Sequence, residues 1–107
     1  MSTSAFNPQG QTITLTTANP APTPVQCTSF SGAANQYRIL NAGTVTVFLG
    51  VGVTSADATS NAVAPPGNVI PLLAGTDEIL TFVPNAYFTG NTASGTAVIY
   101  ITPGTGV

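Results

Sequence analysis

The chain has no lysine and no histidine, and Arg38 is the single basic residue among 107. With three acidic residues beside it, charged side chains make up 4% of the sequence, against about 25% in an ordinary soluble domain. Each shortage removes a class of function. Neutralising phosphates takes several cations, so a chain of net charge −2 with one arginine is not expected to bind nucleic acid. Without histidine or lysine, general base catalysis would fall to Asp57, Asp77, Glu78 or a tyrosine. Asp77 and Glu78 are adjacent, and neighbours on a strand point to opposite faces, so they do not make a paired-carboxylate site. They read as a turn and strand start, and the chain is expected not to be an enzyme: no catalytic residue and no cofactor is assigned.

No metal site is assigned either. The lone Cys27 excludes an intramolecular disulfide framework and a cysteine-based zinc site, and in "PVQCTSF" it reads as a small core hydrophobe of a protein folded in a reducing cytosol. A calcium site from Asp57 and Asn61 lacks a D-x-D-x-D spacing, which leaves Asp57 as a solvated loop residue. Lys-to-Asn isopeptide cross-linking is excluded by the missing lysine. The opening "MSTSAFNPQG" has neither the basic nor the apolar region of a secretory signal, and "VTVFLGVGV" is far short of the roughly 20 residues of a transmembrane helix, so no membrane partner is expected. Asn-x-Ser/Thr sequons are absent as well.

What is present is apolar and small. Hydrophobic residues make up 43%, the mean hydropathy is +0.35, and the chain is long enough for one core that buries roughly 60 to 70% of its unfolded surface. Disorder would need low hydrophobicity with high net charge, and neither holds. A surface of Thr, Ser, Asn, Gly and Ala costs little to desolvate against a neighbour, so the composition favours life in an assembly.

No stretch shows helical spacing, whereas alternation with β-branched residues recurs throughout, and the fold class is all-β. "QTITLTT" sets Ile13 and Leu15 on one face and threonines on the other. The three prolines of "ANPAPTP" make a stiff connector, so residues 1–24 are read as an N-terminal arm and residues 25–107 as the body. Further strands are expected at 25–30, 36–40, 44–51, 68–73, 78–83, 86–89 and 96–102. About eight strands at this spacing give a single antiparallel β-sandwich, jelly-roll-like or Ig-like. Pro71 can donate no ladder hydrogen bond, so its segment is an edge strand or is not a strand. "SADATSNAVAPPG", residues 55–67, reads as an exposed, mobile loop. Of the aromatics, Tyr37, Tyr87, Tyr100, Phe82 and Phe88 fit core positions better than a sugar-binding platform.

"QYRILNAGTVTVFLGVG", residues 36–52, permits a closer reading. A three-residue loop at Asn41, Ala42 and Gly43 would pair Leu40 with Thr44, Arg38 with Thr46 and Tyr37 with Val47. One face then carries Tyr37, Ile39, Val45, Val47, Leu49 and Val51 as core, and the other Gln36, Arg38, Leu40, Thr44, Thr46 and Phe48. Arg38 is either a solvated strand arginine, alone or paired with Asp77 or Glu78, or an anchor in a contact surface with Leu40 and Phe48. Ile13 and Leu15 join these interface candidates if the arm adds a strand to a neighbour's sheet edge.

The same stretch resembles the Q-aromatic-R-aliphatic-x-N-x-G-T hairpin of small β-rich virion proteins of tailed bacteriophages. The resemblance continues through "VIPLLAGTDEILTF" to "GTAVIYITPGTG", about residues 36–106, while "ANPAPTPVQCTSF" departs from it. It implies a non-enzymatic virion structural protein, made in the bacterial host cytoplasm and placed on the capsid exterior. There it would act as a decoration or cement protein whose partners are the major capsid protein and copies of itself. The alternative is a head-to-tail or tail-fibre accessory, with glycan or receptor binding as its possible task.

Overall fold

The computed structural model describes residues 6–62 and 69–105. Among these residues nine strands and one helix follow in the order β1 (Asn7–Pro8), β2 (Ile13–Thr17), β3 (Val25–Gln26), β4 (Gln36–Asn41), β5 (Val47–Gly52), α1 (Ser55–Asn61), β6 (Ile70–Leu72), β7 (Asp77–Thr81), β8 (Tyr87–Thr92) and β9 (Ala97–Thr105). Two antiparallel sheets face each other. The first runs β1-β9-β4-β7 with β2 also on β9, and the second runs β3-β8-β5-β6. The pairings nest, β2 with β9, β3 with β8, β4 with β7 and β5 with β6. A long four-strand hairpin rolled up in this way is a jelly roll, which settles the topology that strand spacing alone leaves open.

The alternation of residues 36–52 assigns faces correctly and partners wrongly. Tyr37, Ile39, Val47 and Leu49 are all fully buried, with Val45 and Val51 packed against them. Yet β4 and β5 do not pair with each other; they lie in opposite sheets, and residues 42–46 arch between them. The Asn41 amide holds the arch. It donates to the backbone carbonyls of Val45 at 3.0 Å and of Leu72 in the other sheet at 3.1 Å, and it accepts from the Gly43 N–H at 2.9 Å. A two-residue period says which side chains face inward, and it is equally satisfied by a hairpin or an arch.

From Asn7 onward the N-terminal segment packs on the chain's own body, β1 and β2 both pairing with β9. Leu15 opposes Ile99 on β9 and is core, and Pro22 accepts a hydrogen bond from the buried Thr89 hydroxyl at 2.6 Å. Pro71 occupies the edge strand β6, as its missing donor requires. Pro103 is accommodated inside β9 by the break between β1 and β2. Its carbonyl accepts from the Gln9 N–H, so its nitrogen faces the same gap.

Residues 55–61, expected as loop, form α1, and residues 63–67 of that expectation lie outside the described residues. Thr54 caps the helix by accepting from the Asp57 N–H at 3.2 Å, and Ala58 is its buried residue. Glycines on β5 admit it: a Cβ at Gly50 would come within 2.5 Å of the Ala58 carbonyl and the Ala62 nitrogen, and one at Gly52 within 2.5 Å of the Ala58 nitrogen. Gly50→Ala is therefore expected to push α1 off the sheet and to cost about 1–3 kcal/mol as overpacking does, read as a lower urea midpoint.

Candidate interaction surface

The register of the first sheet builds its outer face row by row, because residues directly opposite in an antiparallel pair share a face. One row reads Asp77, Leu40, Tyr100, Thr14, and the next reads Ile79, Arg38, Thr102. Apolar side chains hold the centre: Leu40 is half-buried, Ile79 is 44% exposed and Tyr100 is 40% exposed. Threonines form the margin, with the Thr12 and Thr102 hydroxyls 2.6 Å apart.

Arg38 crosses between the two rows. Its Nη2 and Nε donate to Asp77 Oδ2 at 2.8 and 3.2 Å, with both side chains about half exposed. A screened pair of this kind contributes about 0–1 kcal/mol to stability, so Arg38→Ala should move the urea midpoint of the isolated protein little. The pair does cancel the charge of this face. Glu78, next along β7, opposes Ile39 and so points to the inner side of the sandwich at its open edge. The two adjacent carboxylates therefore lie on opposite faces. Asp57 sits on α1, against the other sheet, and no cluster of three or more His, Cys, Asp or Glu occurs among the described residues.

The other interface candidates separate. Phe48 is in the second sheet, opposite Pro71 and Asn91, so it is not beside Arg38 as the hairpin register implied. Leu15 is 2% exposed, because its register with Ile99 places it on the inner face. Ile13 is half-buried at the start of β2. Asp57 and Asn61 line a cleft of about 400 Å³ with Val53, Ile70 and Phe82, but the Asn61 amide is engaged with the Val51 carbonyl at 3.0 Å. Phe30, Val53 and Val83 project from the connections after β3, β5 and β7, which antiparallel order gathers at one end of the roll. Phe30 is 80% exposed within "TSFSG", an apolar residue in a polar loop that strand patterning passes over.

Two titratable groups are perturbed, and both belong to the core. Burial pushes the Cys27 thiol from 9.0 up to about 12 and also raises the Tyr37 phenol, which donates to the Val83 carbonyl and accepts from the Ala86 N–H. Above about pH 9 the unfolded chain loses the thiol proton that the folded chain keeps, so stability is complete below that pH and falls as pH rises toward 12. The unfolding free energy from urea titrations should drop by up to about 1.4 kcal/mol per pH unit in this window, and Cys27→Ala should flatten the slope.

No family model matches the chain, and no curated protein matches it significantly. Among solved structures it is similar to one described as the crystal structure of CoII HppE in complex with substrate, at a TM-score of 0.43 and 10% identity. The alignment covers 94% of this chain and 52% of that one, so the chain spans about half the length of the protein it matches. At that TM-score the likeness carries nothing further over to this chain.

Proposed function

We propose that this chain is a non-enzymatic structural protein of a bacteriophage virion, a decoration protein that cements major capsid protein subunits on the capsid exterior. One observation carries the reading: the outer face of the first sheet is apolar at its centre, rimmed by threonine and internally neutralised by Arg38 and Asp77. Such a face loses little on desolvation and presents Tyr100 and Arg38, residue types that anchor contacts. Jelly rolls serve capsids, lectins and enzymes alike, so the fold supports the reading only by permitting it. The resemblance of residues 36–106 to phage virion proteins points the same way.

The test has two parts. Mass spectrometry of purified particles should find the protein in stoichiometric amounts, and capsids lacking it should bind the purified protein saturably. Ile79→Lys, which sets a charge in the centre of the face at an exposed position, should weaken that binding at least tenfold. Particles that lack the protein, together with capsids that do not bind it, would overturn the proposal. A tail accessory that holds a glycan between Tyr87 and Phe88 is less well supported, since Phe88 faces the core and Tyr87 the opposite side of β8.

A further inference from the structure

The four sheet edges are not equally protected. Native proteins blunt an edge with short length, proline or charge. Edge β3 has two residues, β6 carries Pro71, and β7 carries Asp77 and the inward-pointing Glu78. Edge β2 has five residues, ITLTT, with neither proline nor charge.

The hydrogen-bond phase of β2 shows what it offers. The Ala42 N–H donates to the Val98 carbonyl and the Gln9 N–H to the Pro103 carbonyl. Even-numbered residues of β9 therefore bond toward β4, and odd-numbered ones toward β1 and β2. With Ile13 opposite Ile101, Leu15 opposite Ile99 and Thr17 opposite Ala97, those three residues of β2 bond to β9. The N–H and C=O groups of Thr14 and Thr16 point away from the sheet, and among the described residues nothing pairs with them. Both threonines are exposed.

We propose that this edge is a self-association site, where β2 pairs antiparallel with β2 of a second copy and joins the two first sheets into one. A two-fold axis at Leu15 sets Thr14 opposite Thr16 of the copy and Thr16 opposite Thr14. Each pair exchanges both N–H···O=C bonds, so the four backbone groups each chain presents are all satisfied. Threonine opposite threonine is a favourable cross-strand pair, and an edge without charge brings no like charges together. The edge carries no charge, and the backbone groups it presents are the ones that a second copy of β2 complements in kind and spacing. The contact is short, so the dimer forms with rising concentration. It does not depend on the virion reading and is judged on purified protein alone.

Analytical ultracentrifugation of the full chain over rising concentration should show the mass double. Thr14→Pro removes an outward N–H, leaves every ladder bond to β9 in place, and should sediment as a monomer where wild type is dimeric. Amide exchange on wild type needs no variant. On dimerisation the Thr14 and Thr16 amides should slow at least tenfold, while those of Ile13, Leu15 and Thr17, already bonded to β9, stay unchanged. A wild-type monomer at all concentrations overturns the proposal. So does a dimer in which Thr14 and Thr16 exchange at the monomer rate, or a folded Thr14→Pro chain that dimerises like wild type.

Discussion

Phe88→Ala lowers the unfolding free energy by about 3–5 kcal/mol, a large share of the 5–15 kcal/mol typical of a domain. Phe88 is fully buried on β8 and meets Tyr37 of the opposite sheet edge-on, with ring centroids 4.9 Å apart and planes at 66°. The substitution removes the ring contact and leaves a cavity between the sheets that the two rigid layers close only in part. At roughly 4 °C or more per kcal/mol for a chain of this size, the melting temperature should fall by about 12 °C or more in calorimetry. Phe88→Leu, which refills much of the volume, should recover over half of the loss. An alanine variant that melts within a few degrees of wild type would mean that the two sheets are not held together at this contact.

Asn41→Ala is the second large effect, for a different reason. The buried amide joins three backbone groups, the carbonyls of Val45 and Leu72 and the N–H of Gly43, and the Leu72 bond ties one sheet to the other. Removing it leaves the buried Leu72 carbonyl and the part-buried Val45 and Gly43 groups unpaired, at about 1–3 kcal/mol each, of which relaxation and water recover part. An overall loss of about 3 kcal/mol is expected in chemical denaturation. Asn41→Asp keeps the acceptor for Gly43 and loses the donors, so it should not rescue stability. Amide exchange of residues 42–46 should speed up in both variants if the arch depends on the side chain.

Local pattern made part of this architecture legible. Alternation identified the inward faces of β4 and β5, the single proline of "NVIPLL" marked an edge strand, and a lone cysteine beside apolar residues proved to be core. The short helix was missed because it buries one alanine instead of an apolar stripe. Its local signal was the cap: Thr54 three residues before Asp57, a spacing that lets the hydroxyl take the Asp57 N–H. The candidate surface was half legible. Arg38 and Leu40 do share an outward face, but Tyr100 and Ile79 reach it from residues about 40 to 60 positions away, through pairings that no local window contains.

"QYRILNAGTVTVFLGVG" marks the boundary between the two kinds of information. Burial and the alternation of side chains are set residue by residue, so an all-β chain, its inward residues and a nearly uncharged exterior can be read from local pattern. Strand partnership depends on which distant segments close over a common core, and the alternation of this stretch satisfies a hairpin and an arch equally. That β4 joins β7 and β9, that Arg38 meets Asp77 and not Phe48, and that Thr14 and Thr16 of β2 face away from the sheet follow from the folded arrangement. These contacts are cooperative, each being favourable only once the nested pairing of the jelly roll has brought both partners together.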